Sequence, residues 1–431
     1  MLNTEQQAAL AAMLDFLQES NPAKTFLLEG RPGTGKTYLM QELMQVYKKR
    51  TVFTAPTNKA TKVLKQVLTT DSYKPDCCTI YSLLGLSLTS DGEVREVTAS
   101  DLEVDLSRFS LVVIDEAFMI AETVKQFIDT ALLNHKVKII FMGDSYQLPP
   151  VKESKSAITK YFTASSGNQA LLTQIMRNSG VIAEVVEEVR TAIDRVPLFK
   201  LPFLERRELY QPDSPVQLVT GKNFNKLIAN HEWQSNQFTA CKVVAWRNVT
   251  VNSYNAIVRS KLFPNTYFER PFEVGDQIVV TSPAKDLDGK FFATVDEEGV
   301  VSRIVHHPHP WLDGIDCESV TCSMSDNTIK TFRTLAQNST KLFEKMLSDL
   351  ANDARIERRK WKQYYALFEA VHYIRPSYAI TAHRSQGSTY DKVFVDLIDI
   401  LKNSNRKESL QCLLVAMSRA RTKLIITSNK G

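Results

Sequence analysis

The sequence predicts an α/β fold in which parallel sheets are flanked by helices and interrupted by inserted segments. A glycine-rich loop at 30–37 joins a short apolar run to a stretch with helical spacing. Two more apolar runs, 111–114 and 138–142, end directly at acidic or glycine residues, as buried parallel strands commonly do. With 431 residues, the chain is also too long for one ordinary core, so we expect more than one domain.

The composition is that of a globular protein, with 43% hydrophobic and 23% charged residues. A formal net charge of +5 gives only a mild attraction for polyanions, so any nucleic-acid site must be a local groove. No apolar run approaches the length of a membrane span, and no signal-peptide pattern opens the chain. The six cysteines lack a repeated pairing pattern and suit a reducing cytoplasm. These features predict a cytoplasmic protein without a membrane partner.

The glycine-rich loop matches the pattern G-x-x-x-x-G-K-[ST] at every fixed position. Glycines let backbone N–H groups turn toward phosphate oxygens, and the following helix adds its positive end. We therefore predict a nucleoside triphosphate site in which Lys36 reaches the β- and γ-phosphates and the Thr37 hydroxyl ligates Mg²⁺. The predicted nucleotide-binding residues of this loop are Gly33, Thr34, Gly35, Lys36 and Thr37.

An acidic pair, Asp115 and Glu116, follows the apolar run 111–114. Acids at the carboxyl end of a parallel strand lie where ligands bind in open α/β sheets. We predict that Asp115 holds Mg²⁺ and that Glu116 orients and helps to deprotonate the attacking water. A helix N-cap is the alternative for the pair alone, but the complete phosphate loop favours catalysis.

A polar loop, 143–150, follows the apolar run 138–142. Gln147 within it is a candidate sensor of the γ-phosphate. An ordinary polar turn is the alternative, and Leu148-Pro149-Pro150 would suit that equally.

The N-terminal residues Thr4 to Gln7 precede a helical run. One interpretation is a capping box, with Thr4 as the N-cap and the Gln7 side chain reaching back. The other is that the Gln7 amide recognises adenine. The residues alone favour the cap.

With these residues assembled, the chain resembles superfamily 1 DNA helicases of the RecD-like branch. Eight ordered segments carry the resemblance along almost the whole chain. They are 2–7, 55–60, 79–84, 143–150, 172–177, 243–248, 381–388 and 415–420. Relatives often have His where Tyr81 stands and usually have Lys where Arg384 stands, which keeps the charge but changes its geometry.

The resemblance implies two RecA-like motor domains that share one ATP hydrolysis site. It implies that Gln7 contacts adenine and that Gln147 senses the γ-phosphate. It also implies that Arg177 and Arg419 stabilise transition-state charge, a contribution of ~10³–10⁵ in rate. Gln386 and Gly387 are expected to contact the nucleotide as well.

The resemblance further implies an ATP hydrolase that translocates on single-stranded DNA, 5′ to 3′, and unwinds duplex DNA. The expected partners are single-stranded DNA, forked or tailed duplex DNA, and a single-strand binding protein or replisome component. We expect a monomer in the cytoplasm, or in the host cytoplasm if a phage encodes it. The expected strand contacts are Pro56, Thr57, Asn58, Thr79, Tyr81, Thr381, His383 and Ser385.

Two rival functions stay open at this point. One is an RNA helicase or nucleoprotein remodeller of the same superfamily, because contacts to the backbone need not sense the 2′-OH. The other is an ATP-switched protein that binds single strands without unwinding.

The predicted domains follow from the order of these motifs. Alternation around Asp91-Gly92 indicates a β-hairpin, which in relatives acts as a pin that splits the duplex; a simple connecting hairpin is the alternative. The predicted bounds are 1–84 with 107–176 for the first motor domain, 85–106 for the hairpin, 177–261 with 375–431 for the second motor domain, and 262–374 for the insertion.

The insertion is predicted to contain a small β-barrel followed by two helices, 335–350 and 355–373. The second helix interleaves basic residues with aromatic ones. We favour an amphipathic helix with its aromatic residues packed inward. The alternative is an arm that touches DNA or braces the pin.

Overall fold

The computed structural model describes residues 2–71, 73–88, 94–96, 106–150, 153, 156–161, 168–174, 180–234, 237–266, 270–286 and 288–428. Internal contacts divide the chain into two compact units. The first comprises Met1–Gln217, Ser385–Thr389 and Ile400–Leu424, and the second comprises Leu218–Arg384, Tyr390–Asp399 and Ile425–Gly431. The domain bounds predicted from the motifs stay a prediction.

The chain up to residue 194 contains the strands of the first sheet, a two-stranded hairpin and the helices that accompany them. The strands are β1 (Thr25–Gly30), β2 (Thr51–Ala55), β3 (Asp76–Thr79), β4 (Leu86–Leu88), β5 (Val94–Glu96), β6 (Leu111–Ile114), β7 (Lys138–Gly143) and β8 (Gln169–Leu172). The helices are α1 (Thr4–Phe16), α2 (Lys36–Val46), α3 (Asn58–Leu68), α4 (Ile80–Leu83), α5 (Glu122–Asn134) and α6 (Val181–Asp194).

Six of these strands form one parallel sheet in the order β3-β2-β6-β7-β1-β8. Its central strands are apolar because both faces are covered. Val113 of β6 packs into a core with α1 and α2, whereas its neighbour Val112 packs into a core with α5. The predicted parallel α/β architecture is confirmed, and the carboxyl ends of β1, β6 and β7 meet at one edge.

The predicted β-hairpin is present in its described part. Strands β4 and β5 pair antiparallel, with Leu86 opposite Glu96 and Leu88 opposite Val94. The tip around Asp91-Gly92 lies outside the described residues, so its role as a pin stays a prediction.

The remainder of the chain adds twelve strands and seven helices within the described residues. The strands are β9 (Val216–Val219), β10 (Cys241–Ala245), β11 (Gln277–Val280), β12 (Ala284–Lys285), β13 (Phe291–Ala293), β14 (Glu298–Pro308), β15 (Asp316–Met324), β16 (Ile329–Leu335), β17 (Ile374–Pro376), β18 (Ala379–Thr381), β19 (Tyr390–Val395) and β20 (Ala420–Thr427). The helices are α7 (Gly221–Asn230), α8 (Asn248–Leu262), α9 (Thr340–Ile356), α10 (Trp361–Phe368), α11 (Ala382–Ser385), α12 (Leu397–Ile400) and α13 (Arg406–Met417).

A second sheet has the strand order β18-β10-β19-β20-β9, and β10 pairs parallel with both β18 and β19. Its core contains Val243, Phe394 and Ile425 beside residues of α7 and α8. Within the described residues, no helix has the length and apolar character that crossing a bilayer requires.

The insertion contains a five-stranded antiparallel sheet in the order β16-β15-β14-β11-β17. Ile278, Val320 and Phe332 form the centre of its core. The His372 N–H donates to the Arg333 carbonyl at 2.6 Å, and the Arg333 N–H donates to His372 Nδ1 at 2.9 Å. These bonds join β16 to the segment before β17, and closure into a barrel stays a prediction.

The two helices of the insertion begin and end at different residues from those predicted. Residue 335 still belongs to β16, where Leu335 pairs with Cys317, so the first helix begins only at Thr340. The second helix ends at Phe368, before the residues that bond to β16. Its aromatic rings pack on one another, with Trp361 and Tyr364 centroids 5.3 Å apart, while Lys362 is exposed. Leu367 is the buried residue of this helix and the aromatic rings are half-buried, so the inward aromatic face stays a prediction.

Candidate active site

The phosphate loop lies between β1 and α2 in the predicted strand–loop–helix arrangement. Gly33 and Gly35 both have φ of 81°, in the left-handed region that favours glycine. A Cβ at Gly35 would also lie 2.6 Å from the Gln6 amide nitrogen. Glycine is therefore required at position 35 by both backbone conformation and space.

The Lys36 ammonium group folds back over this loop. It donates to the carbonyl oxygens of Gly30 at 2.5 Å and Arg31 at 3.1 Å. The Thr34 hydroxyl donates to the same Arg31 carbonyl at 2.9 Å. The loop and its cation are thus preassembled as an anion site at a helix N-terminus.

The residues predicted to hold Mg²⁺ have suitable chemistry. Thr37 follows Lys36 in the first turn of α2, and Asp115 directly follows β6. Burial raises the pKa of Asp115, while the Lys36 charge and a 2.9 Å hydrogen bond from the Glu116 N–H oppose that rise. A hydroxyl and a carboxylate oxygen are hard ligands of the kind that Mg²⁺ prefers. The donor set therefore fits this ion.

Glu116 has an unusual backbone and an unusual carboxyl group. Its φ of 50° and ψ of 36° place a non-glycine residue in the left-handed region, a conformation that clusters at functional sites. Burial, followed by repulsion from Asp115, raises the pKa of Glu116 to about 7, against the charges of Arg419 and Lys36. A carboxylate with such a pKa can accept a proton from water near neutral pH.

Gln147, the predicted sensor, is buried at the carboxyl edge of the first sheet. Its Oε1 atom is buried without a hydrogen-bond partner among the described residues. Buried amide oxygens are nearly always bonded, so this atom can accept a hydrogen bond from a ligand or water. Its backbone carbonyl accepts from the Gln411 side chain at 2.9 Å.

A buried ion pair between Asp144 and Arg190 supports the sensor loop from α6. The Arg190 guanidinium group also lies 4.4 Å from the centre of the Tyr146 ring, and the Tyr146 hydroxyl donates to Asp194 at 3.0 Å. Sequence reasoning did not identify this pair. The sequence did contain a clue, because Arg190 lies among the apolar positions of α6. A charge at a buried position requires a partner of opposite charge.

The predicted N-terminal capping box is wrong by one residue. Asn3, not Thr4, is the N-cap: its side chain accepts from the Gln6 N–H at 2.8 Å, and the Gln6 side chain accepts from the Asn3 N–H at 3.0 Å. Asparagine is at least as good an N-cap as threonine, which explains the shift. Gln7 is exposed and donates to the Leu2 carbonyl at 3.1 Å.

Gln6, rather than Gln7, therefore contacts the phosphate loop. Its side chain is buried and its Nε2 donates to the Thr34 carbonyl at 3.0 Å. The adenine contact expected of Gln7 stays a prediction. The sequence contained a clue to the orientation of Gln6: it lies three residues after Asn3, a strong N-cap residue, as the second member of a capping box does.

The neighbouring residue Glu5 holds the chain that follows β8. Its carboxylate accepts from the Thr173 N–H at 2.7 Å, the Thr173 hydroxyl at 2.6 Å and the Gln174 N–H at 3.0 Å. These hydrogen bonds, that of the Thr173 hydroxyl first, lower the pKa of Glu5. The segment leads to Arg177, which lies outside the described residues. Sequence reasoning missed Glu5 because an acid in the first turn of a helix is common.

Arg419 is buried near the acidic pair. Its guanidinium group donates to the carbonyls of Val415 at 3.0 Å and Ser388 at 3.2 Å, and to the Ser418 hydroxyl at 2.8 Å. Its charge lowers the pKa of Glu116 against the larger effect of burial. The structure thus brings Arg419 and Glu116, which are distant in sequence, into one electrostatic environment.

Gly387 lies against the start of α3, and Gln386 directly precedes it. Gly387 has φ of 71°, and a Cβ there would meet the Ala60 Cβ at 3.3 Å. Gln386 is buried, and both polar atoms of its amide lack partners among the described residues. Such an amide keeps its donors and acceptor for a ligand.

Five predicted strand contacts lie in the first unit beside β2 and β3. The Thr57 hydroxyl caps α3 by accepting from the Ala60 N–H at 3.1 Å, and the Thr79 hydroxyl caps α4 by accepting from the Ser82 N–H at 3.1 Å. β2 and β3 are adjacent, with Ala55 paired to Thr79, so their carboxyl ends share one edge. The remaining three are Pro56, which is buried, and Asn58 and Tyr81, which are half-buried.

Three further predicted contacts lie at the end of β18 and in α11. Thr381 is buried and its hydroxyl accepts from the Arg384 N–H at 3.3 Å. His383 is half-buried, and Ser385, which belongs to the first unit, is fully buried. The roles of these residues in strand binding stay predictions.

Two family models match this chain. Residues 1–197 match the AAA domain, and residues 376–427 match the UvrD-like helicase C-terminal domain. The two regions contain, respectively, the phosphate loop with the acidic pair and the segment with Arg419.

Individual relatives cover more of the chain. An uncharacterized protein, R530, of Acanthamoeba polyphaga mimivirus is 26% identical over 98% of this chain and 99% of its own length. The RecBCD enzyme subunit RecD of Buchnera aphidicola is 25% identical over 94% of this chain and 70% of its own. The ATP-dependent DNA helicase dda of Enterobacteria phage T4 is 26% identical over 61% of this chain and 58% of its own.

The solved structure of a Pif1 helicase from Bacteroides, in complex with ADP-AlF3 and ssDNA, shares the fold. It covers 99% of this chain and 92% of its own, with a TM-score of 0.55 at 16% identity. The solved structure shows the shared fold, and the matched models and relatives support a relationship to the superfamily 1 helicases RecD and Dda.

Proposed function

We propose that this protein is an ATP-driven DNA helicase that translocates on single-stranded DNA, 5′ to 3′, and unwinds duplex DNA. The observation that carries the proposal is the surroundings of Glu116. Burial and Asp115 raise the pKa of its carboxyl group to about 7, and the positive charges of Lys36 and the buried Arg419 act against that rise. Such a constellation suits phosphoryl transfer to water.

Each of these residues has a defined part in hydrolysis. The loop and Lys36 bind the triphosphate, and Glu116 accepts the proton of the attacking water. The Gln147 amide oxygen accepts from that water and orients it, while Arg419 stabilises the negative charge that develops. Mg²⁺, when held by Thr37 and Asp115, supplies charge neutralisation at the phosphates.

Two hydrogen-bonded links support transmission of the nucleotide state to other parts of the first unit. Gln411 joins α13 to the backbone of the sensor loop. On α1, Gln6 contacts the phosphate loop while the adjacent Glu5 holds the segment after β8. A change at the phosphates can therefore move both segments together.

Strand binding is proposed at the carboxyl edge of β2 and β3 and at the end of β18. Hydroxyl groups, backbone N–H groups and the His383 imidazole can hold phosphates without reading sequence. Tyr81 can stack on a base, which is also sequence-tolerant. We propose that the two sets of contacts grip the strand in alternation during the hydrolysis cycle.

The DNA substrate and the polarity come from the relationship. The Dda relative carries the DNA helicase activity in its name, and the 5′ to 3′ direction is that of the branch that the motifs resemble. RNA is the alternative substrate because the proposed contacts do not test the 2′-OH.

The proposal is tested by displacement of a labelled strand from a tailed DNA duplex with ATP and Mg²⁺, beside the same duplex with an RNA tail. We expect displacement with DNA, stimulation of ATP hydrolysis by single strands, and no displacement by Lys36→Ala. Displacement only with the RNA tail would make the protein an RNA helicase. Stimulated hydrolysis without displacement would make it a translocase.

A further inference from the structure

The inserted sheet has an outward face with a distinctive composition. Cross-strand pairing places Val305 opposite Ser319 and Ser319 opposite Arg333. The adjacent row contains Arg303, Thr321 and Thr331. We call these six residues of β14, β15 and β16 the outer face.

The outer face is polar because the other side of the same strands forms the core. Ile304, Val320 and Phe332 alternate with the outer residues and pack into the apolar cluster of the insertion. The Thr321 and Thr331 hydroxyls lie 3.0 Å apart on the outer face, and Arg303, Val305 and Thr331 are exposed. Register therefore fixes which residues face outward.

An aromatic side chain borders this face. Trp311 is 64% exposed, although buried tryptophan is the rule in folded domains, and the Arg333 guanidinium group lies 5.1 Å from its ring centre. The two side chains form a flat, charged platform beside a groove of about 570 Å³. The groove is lined in part by Lys285, Phe292, Trp311, Lys330, Arg333 and His372.

The charge of the outer face is positive. Its six residues include two arginines and no acid, while Asp286 lines the adjoining groove. Lys285 and Lys330 at the groove are paired with Glu369 at 2.9 Å and Glu297 at 2.6 Å, whereas Arg333 lies on an aromatic ring. Cations, hydroxyl groups and an exposed indole are together the groups that bind phosphates and stacked bases.

We propose that the outer face and Trp311 form a second binding site for single-stranded nucleic acid. A base stacks on Trp311, and the flanking phosphates bind to Arg303 and Arg333. The inference rests on the proposed function, because it gives an additional contact to the strand on which the motor acts. It contains none of the residues of the predicted strand-gripping motifs and is argued from the sheet register and the exposed indole.

The site is tested with single-stranded oligothymidylates of two lengths, about 8 and about 30 nucleotides, the shorter matching one binding module. Fluorescence anisotropy gives the affinity of wild type, Trp311→Ala, and Arg303→Ala/Arg333→Ala over a salt series. The control is Lys222→Ala/Lys226→Ala, which removes two exposed charges from α7. A longer strand offers more overlapping positions at which the protein can bind. Wild type should bind the longer strand more tightly than this statistical advantage alone predicts.

We expect Trp311→Ala to weaken binding of the long oligonucleotide about tenfold and to leave the short one unchanged. The double arginine variant should lower the salt slope by about 1.4, since each phosphate contact on a single strand contributes about 0.7. The control should match wild type, and the ATP hydrolysis rate at saturating DNA should stay the same in all variants.

Equal binding of the long strand by wild type and variants would overturn the site. Equal weakening of both lengths would also overturn it, because the residues would then act through the motor's own contacts or through stability. If wild type bound neither length, the proposed function would fail and the inference with it. If wild type bound both lengths and the variants bound the long strand equally well, the site would fail while the proposed function stood.

Discussion

The Gln411 side chain donates a 2.9 Å hydrogen bond to the backbone carbonyl of Gln147. Gln411 belongs to α13, which ends two residues before Arg419, and Gln147 belongs to the polar loop after β7. The bond therefore connects the helix that precedes Arg419, the arginine proposed to stabilise the transition state, with the loop that carries the predicted γ-phosphate sensor. Both residues are buried, so the bond is protected from water.

Gln411→Ala should lower kcat by about fivefold, because a net hydrogen bond contributes about 1 kcal/mol and here joins the two segments that carry the proposed sensor and arginine. The KM for ATP should change little, since neither segment belongs to the phosphate loop. Steady-state ATP hydrolysis with saturating single-stranded DNA measures both quantities. The exposed Lys407 on the same helix supplies the control, Lys407→Ala, which should behave as wild type. An unchanged kcat in Gln411→Ala would remove this link from the mechanism.

Lys36→Ala should abolish ATP hydrolysis while the protein stays folded. The ammonium group lies on the loop carbonyls and does not support the core, so circular dichroism should be unaltered. Lys48→Ala, at an exposed lysine just after α2, should retain full hydrolysis. Turnover near that of wild type in Lys36→Ala would refute the phosphate-loop assignment.

Glu116→Gln should bind nucleotide and single-stranded DNA but hydrolyse ATP at least about a hundredfold more slowly, in the range for a lost general base. The amide keeps the shape of the side chain but cannot accept the proton of water at neutral pH. A fluorescent ATP analogue measures binding, and phosphate release measures turnover. Hydrolysis at the wild-type rate would require another base.

Arg419→Ala should lower kcat by about a thousandfold, the lower bound for a transition-state arginine, with a much smaller effect on ATP affinity. Arg419→Lys should recover only part of the activity, because lysine cannot reproduce the donors to Val415, Ser388 and Ser418. Arg406→Ala, an exposed arginine at the start of α13, is the matched control. A variant that loses affinity and keeps kcat would assign Arg419 to ground-state binding instead.

His231 should make the second unit less stable in acid. Burial, aided by the Lys392 charge, lowers the pKa of His231 to about 4 from an ordinary value of 6.5. Between these values the unfolded chain binds the proton and the folded one does not, so stability rises with pH across this window. The urea midpoint reported by Trp233, whose ring centre lies 5.0 Å from that of His231, should fall from pH 6.5 to 4.

His231→Phe keeps an aromatic ring against Trp233 and Phe394 and removes the titration. Its urea midpoint should fall less over the same pH range than that of wild type. Parallel pH profiles for the two proteins would show that other groups control the acid sensitivity.

The sequence predicts the first sheet well because its signals are local. The loop before Lys36 and the apolar run before Asp115 each combine a strand with the residues that end it, so the sheet edge can be derived from short segments. The N-cap at Asn3 was missed for the opposite reason. Adjacent polar residues compete for one cap, and a shift of one residue turns Gln6 rather than Gln7 toward the phosphate loop.

Partnerships between distant residues are not available from local pattern. The pairing of Asp144 with Arg190 and that of Glu5 with Thr173 depend on how helices α6 and α1 pack beside the sheet. The end of β16 at Leu335 likewise depends on cross-strand pairing with Cys317, which overrides the helical spacing of the residues that follow. Tertiary contacts of this kind determine the element bounds that sequence periodicity alone misplaces.

Unwinding polarity tests the central claim most directly. The protein is incubated with ATP, Mg²⁺ and one of two partial DNA duplexes, which differ only in having a 5′ or a 3′ single-stranded tail. Strand displacement is measured under single-turnover conditions, so that protein that dissociates does not rebind. The account predicts displacement from the 5′-tailed duplex and none from the 3′-tailed one. Displacement from the 3′-tailed duplex alone would contradict the proposed direction, and displacement from neither would contradict the helicase itself.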